Sequence, residues 1–151
     1  MPPPANVLVV ANRTADSDEL RAALLERSER GPIEVTLLAP AAWEVADPHG
    51  GTESARRRLK AAITRLGADG IAVRGLVGDA HPVVAVEEIW DAERFDEVIV
   101  STLPEHVSRW LRLDLPHRVE RLTGRPVQHV IATAPSITEV GATSPTRDRM
   151  S

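Results

Sequence analysis

Apolar positions along the chain fall into two alternating kinds of segment. Short, largely apolar runs occupy residues 6–11 (NVLVVA), 33–39 (IEVTLLA), 71–76 (IAVRGL), 97–101 (EVIVS) and 127–132 (VQHVIA). Each reads as a strand, and the β-branched first run as one buried on both faces. Segments with helical spacing lie between them. Leu20, Ala23 and Leu24 follow the first run, Ala55, Leu59, Ala62, Ile63 and Leu66 the second, and Val83, Val86, Ile89 and Trp90 the third. After the fourth run, Asp114-Leu115-Pro116 reads as a cap and a first-turn proline, opening a helix that runs to Gly124. Asp16 and Glu19 have the spacing of a capping pair for the first helix, and Gly31-Pro32 stops it. The second helix is expected to end at Gly67 and Gly70. Residues 40–52 (PAAWEVADPHGGT) read as a loop. Gly78-Asp79 reads as a tight turn whose Asp ties down nearby amides.

Strands that alternate with helices predict an α/β domain with a mostly parallel sheet. Right-handed crossovers then put helices on both of its faces. The domain is expected to span residues 1–132. Residues 133–151 are polar, contain proline and end in TRDRMS, so a flexible tail is expected there.

Composition narrows the function. A chain of 151 residues fits one domain. The absence of Cys removes disulfides, thiolate metal sites and a thiol nucleophile. A net charge of -4 argues against general nucleic-acid binding, which needs a basic surface. The opening MPPPANVLVVA has no basic segment before its apolar run, and that run is too short to span a bilayer. A cytoplasmic protein with no signal peptide and no membrane association is expected. No two of the five His have the spacing of a helical metal pair, so no metal is expected. Glu105, His106, Ser108 and Ser101 offer an acid, a base and nucleophiles, but the G-x-S-x-G elbow is missing and no catalytic residues are assigned. An enzyme is the least favoured class, and no cofactor is expected.

Four stretches carry a family likeness: the opening VLVVANRT, the strand VTLLAP, the turn LVGDAHPVVAV and the closing block HRVERLTGRPVQHV. In order and spacing they resemble the universal stress protein family, over roughly residues 5–132. The resemblance implies a Rossmann-like three-layer sandwich with a five-stranded parallel sheet in the order 3-2-1-4-5. In that order the first and fourth strands are neighbours whose connections leave in opposite directions, which opens a crevice at their carboxyl ends. Asn12, Arg13 and Thr14 border it on one side, Ser101 and Thr102 on the other. Nucleotide-binding members carry G-x-x-G, a spacer and G-[ST] after the fourth strand, so that backbone amides reach the phosphates. Here the first glycine pair falls on Ser101 and Pro104, and the later pair near Leu113 and Asp114. Proline has no N–H to give, and Asp114 repels phosphate. An acidic residue expected after the first strand is Asn12. The family's ATP site is therefore not inherited as such.

Two readings of residues 105–113 follow. Arg109 and Arg112, three apart, share a face if the segment is helical. With Arg13 and His106 they either hold an anion by charge or form a solvated basic face. Val107, Trp110 and Leu111 form an amphipathic turn, expected to pack over the sheet and fill the space of a nucleotide. Trp43 is expected to pack in the core or over the crevice. The favoured function is a universal stress protein-like regulatory or binding module with a degenerate nucleotide site. It would act as a homodimer through the fifth strand (Val127, Gln128, His129, Val130, Ile131) and through a protein partner of unknown identity. The alternative is a nucleotide- or anion-binding protein that uses arginine side chains in place of the glycine loop.

Overall fold

A computed structural model of the chain describes residues 3–41, 50–104, 110 and 114–133. Five strands, β1 (Ala5–Val10), β2 (Ile33–Pro40), β3 (Ala72–Gly78), β4 (Glu97–Thr102) and β5 (Val127–Ile131), alternate with α1 (Asp18–Ser28), α2 (Gly50–Ala68), α3 (Pro82–Ile89) and α4 (Leu115–Thr123). All strand pairs are parallel, and the sheet order is β3-β2-β1-β4-β5. This is the order that the family resemblance implied.

Strand β1 shows why the first apolar run had to be unbroken. Val7, Val9 and Ala11 join Leu20 and Leu24 of α1 and Leu59 and Leu66 of α2 in one core. Leu8 and Val10 point the other way, into a second core with Val86 of α3 and Leu115 and Val119 of α4. A strand with a helical layer on each side has no position left for a polar side chain.

Local chemistry differs from the sequence reading at four points. The α1 cap is Ser17, whose Oγ accepts the Leu20 N–H at 3.2 Å. Asp16 is instead drawn inward by Arg65 of α2, which donates to its carbonyl at 2.9 Å and its carboxylate at 3.1 Å. With the carboxylate taken, the neighbouring hydroxyl caps the helix. Strand β3 continues to Gly78, because its pairing with β2 runs on to Pro40. A Cβ on Gly78 would lie 2.8 Å from the Cβ of Ala85, so the glycine lets α3 approach the sheet closely. Helix α2 passes through Gly67 and stops before Gly70, where φ is +85°. Asp114 holds the cap position of α4 in a left-handed conformation (φ 54°) without a side-chain capping bond. Asp79 does tie down an amide as expected, accepting from the His81 N–H at 2.8 Å.

Helix α3 has only eight residues. Val73 and Val77 of β3 pack against the α1–α2 side. The alternate positions Ala72, Arg74 and Leu76 face the α3–α4 side, and all three are exposed. Most of the sheet is sandwiched, but this face of β3 is bare. Among the described residues no helix is long and apolar enough to cross a membrane.

Candidate functional site

The carboxyl ends of β1 and β4 lie side by side, as Val9 and Val10 of β1 pair with Ile99 and Val100 of β4. The chain after β1 leaves toward β2 through α1, and the chain after β4 leaves toward β5 through α4, so the switch point lies between them. Asn12, Thr14, Ser101 and Thr102 are all at this point, and all are at most 3% exposed. Arg13 is exposed at the same turn.

Polar groups buried to this degree need partners, and here protein groups supply them. The Thr14 and Ser101 hydroxyl oxygens are 2.6 Å apart, joining the two lips of the crevice. The Asn12 amide donates to the Pro40 carbonyl at 2.6 Å, and its Oδ1 accepts from Arg58 Nη1 at 2.7 Å. Thr102 Oγ1 donates to the Leu103 carbonyl at 2.9 Å and lies 2.8 Å from His129 Nε2. A hydroxyl has one proton to give. With that proton on Leu103, the oxygen accepts from His129, which puts the imidazole proton on Nε2. His129 is exposed as a whole, but partial desolvation of its ring pushes the pKa below the ordinary value of 6.5, favouring the neutral ring.

Behind the crevice, burial pushes the Asp16 carboxyl above the usual aspartate range, against the opposing pull of Arg65. Arg65 also reaches Asp18 at 2.9 Å. This cluster fixes the turn after β1 to α2. Trp110 is half-buried against the α3–α4 core. Arg109, Arg112, Val107, Leu111, His106 and Trp43 lie outside the described residues. Of the sequence candidates, the structure therefore brings together Asn12, Thr14, Ser101 and Thr102 as buried groups with protein partners, and joins Thr14 directly to Ser101. Sequence reading missed Arg58 and His129, which partner Asn12 and Thr102. They sit 46 and 27 residues from the groups they touch, and no local pattern marks such pairings. No group of three or more potential metal-ligating side chains occurs among the described residues.

A doubly wound α/β domain with a switch point between its first and fourth strands is a broad class. Within it, this chain has the fold of universal stress proteins. The structure of a universal stress protein from Archaeoglobus fulgidus matches with a TM-score of 0.60 at 11% identity, over 83% of this chain and 93% of that one. Another universal stress protein, solved in complex with cAMP, matches with a TM-score of 0.52 at 21% identity, over 85% of this chain and 98% of that one. No protein-family model matches the chain, and no curated protein matches it in sequence.

Proposed function

We propose that the protein is a universal stress protein-like regulatory or binding module whose nucleotide site is closed, and that it does not bind ATP. One observation carries this reading: the buried Thr14–Ser101 contact of 2.6 Å, which ties together the two lips that a phosphate chain would have to part. Pro104 and Asp114 stand where the family's glycines would present backbone amides, and ATP chemistry needs phosphate and metal held in place. Titration calorimetry with Mg-ATP tests the reading. No saturable heat is expected at micromolar nucleotide, and saturable wild-type binding that changes at Arg13 or Ser101 abolish would refute closure.

The universal stress protein solved with cAMP motivates a second reading. In it the crevice takes a singly charged phosphodiester through arginine side chains, with Arg13, Arg109 and Arg112 as candidates and Arg58 already bonded to Asn12 at the mouth. Saturable binding of cAMP without binding of Mg-ATP would select it. In either reading the module works as a cytoplasmic homodimer through β5. This strand is at the sheet edge, its Ile131 is 48% exposed, and Gln128 and His129 are exposed beside it. Pairing two such edges satisfies open backbone groups and covers apolar surface. A monomer by sedimentation equilibrium at tens of micromolar would exclude that assembly.

A further inference from the structure

The bare face of β3 forms one wall of a cavity of about 380 Å³, lined by Asn6, Glu34, Thr36, Arg74, Arg94 and Phe95 together with backbone neighbours. These residues lie toward the amino ends of β1, β2 and β3, the opposite end of the sheet from the Thr14–Ser101 switch point. The volume is at the small end of the range for ligand sites. The far wall is held in place. Asp96 Oδ2 accepts the Asn6 N–H at 2.8 Å, and the Asp96 N–H donates to the Asn6 carbonyl at 2.8 Å. Trp90 stacks on Phe95 with ring centroids 5.7 Å apart, and the Arg94 guanidinium lies 5.5 Å over the Phe95 ring.

Charge in the cavity is arranged, not scattered. Thr36, only 6% exposed, accepts from Arg74 Nε at 3.2 Å and so orients the guanidinium. The two terminal nitrogens of Arg74 have no partner among the described residues, and neither Arg74 nor Arg94 is in an ion pair with one. Glu34 pairs with Ala72 and Thr36 with Arg74, so Glu34 and Arg74 are diagonal neighbours on one face of the sheet. Side chains in that relation start roughly 7–8 Å apart. They make no ion pair with each other, which leaves a gap with a carboxylate on one side and guanidinium donors on the other. A polyphosphate would meet Glu34 as a like charge. A purely apolar ligand would strand both charges. A small zwitterion, with an anion and a cation on one molecule, satisfies both.

We propose that this cavity is a binding site for a free α-amino acid, with the ligand carboxylate on Arg74, supported by the positive charge of Arg94, and its ammonium on Glu34. The site is independent of the switch-point crevice and of whether that crevice binds a nucleotide.

The test is calorimetric titration of the intact chain with a panel of free L-amino acids, paired with thermal unfolding. For the best binder, the amine lacking the carboxylate and the acid lacking the amine are titrated too. At least one amino acid is expected to bind saturably and raise the unfolding temperature, with both truncated analogues at least about tenfold weaker. Arg74→Gln should weaken the amino acid by at least about tenfold. Glu34→Gln should remove the preference for the amino acid over its deaminated acid. Both positions are exposed, and circular dichroism confirms that the variants are folded. The proposal is overturned if no amino acid binds by about ten millimolar, a generous limit for a specific site. It is equally overturned if the deaminated acid binds as tightly as the amino acid, or if Arg74→Gln leaves binding unchanged.

Discussion

The two ends of the parallel sheet treat polar side chains in opposite ways. At the carboxyl end, Thr14, Ser101, Asn12 and Thr102 are buried and bonded to protein. At the amino end, Arg74 has one bond among the described residues, made by Nε alone, and Glu34 stays exposed. In a doubly wound fold the carboxyl end is where a ligand is looked for. Here the buried polar groups of that end already have protein partners, while the end usually ignored keeps charged groups open. Position in a fold therefore says where a site is common. Whether it is available depends on which polar groups already have partners.

The comparison breaks most sharply at the buried carboxylate behind the crevice. Arg65→Leu removes the arginine that bonds Asp16, whose side chain is 4% exposed. Removing one partner of a buried pair weakens the compensation of the charge that stays in the low dielectric. Part of the Arg65 side chain is solvated, so the loss is discounted to about 2 kcal/mol at neutral pH. The sign of its pH dependence follows from Asp16. Its folded pKa is already raised above 3.8, so the folded state holds the proton more tightly than the unfolded chain. Stability from this group is present at low pH and lost as pH rises through the folded value. Losing Arg65 raises that value further. The variant's deficit in urea unfolding should therefore shrink from pH 7 to pH 4. An equal deficit at both would show that Arg65 acts by packing alone.

Next in size is the Thr14–Ser101 link. Thr14→Val or Ser101→Val alone strands a buried hydroxyl and should cost about 1–3 kcal/mol. Changing both removes donor and acceptor together, so the double variant should lose clearly less than the sum. Additive losses in a double-mutant cycle would mean that the two hydroxyls act independently and that the lips are not tied.

How much of this was legible in the chain follows from the range of each interaction. Strand and helix positions were readable because the apolar period switches with each element. The order of the sheet came from motif order, which periodicity alone does not contain. The crevice residues of β1 and β4 were readable as the ends of two neighbouring strands. The partners of Asn12 and Thr102 were not, because Arg58 and His129 reach them from distant elements. The Asp16 cap was misplaced because Asp16 and Ser17 are both good caps, and the choice was made by Arg65, 49 residues away. The amino-end cavity did leave a trace. Glu34 and Thr36 alternate with apolar residues in β2, and Arg74 interrupts β3 on the same face, a period-two polar pattern that a strand covered on both sides would not show. What hid it was the length of α3, which decides how much of β3 is covered.

A smaller effect belongs to His129. Its folded pKa lies below 6.5, so the unfolded chain binds the proton more readily than the native state. Stability should fall as pH drops below 6.5 toward that depressed value. His129→Gln keeps a donor for Thr102 and should flatten the unfolding midpoint between pH 7 and pH 5 relative to wild type. An unchanged profile would place the titrating group elsewhere.

The smallest expected effect is the most telling for the comparison. Arg74→Gln and Glu34→Gln alter charges that are exposed and have no ion-pair partner among the described residues. Surface changes of this kind usually shift stability by less than about 0.5 kcal/mol. Arg74 does meet Thr36, but the threonine hydroxyl can use its own proton elsewhere, and glutamine retains a donor at similar reach. Both single variants and the pair should therefore unfold within about 0.5 kcal/mol of wild type, where Thr14→Val and Ser101→Val do not. A loss near that of the crevice variants would mean that Arg74 braces β3 against β2. The amino end would then be structural as well, and the contrast between the two ends would disappear. A gain in stability would be the strongest support. Groups held open for a ligand carry unrelieved charge in the empty protein, and removing such groups commonly stabilises the fold at the expense of function.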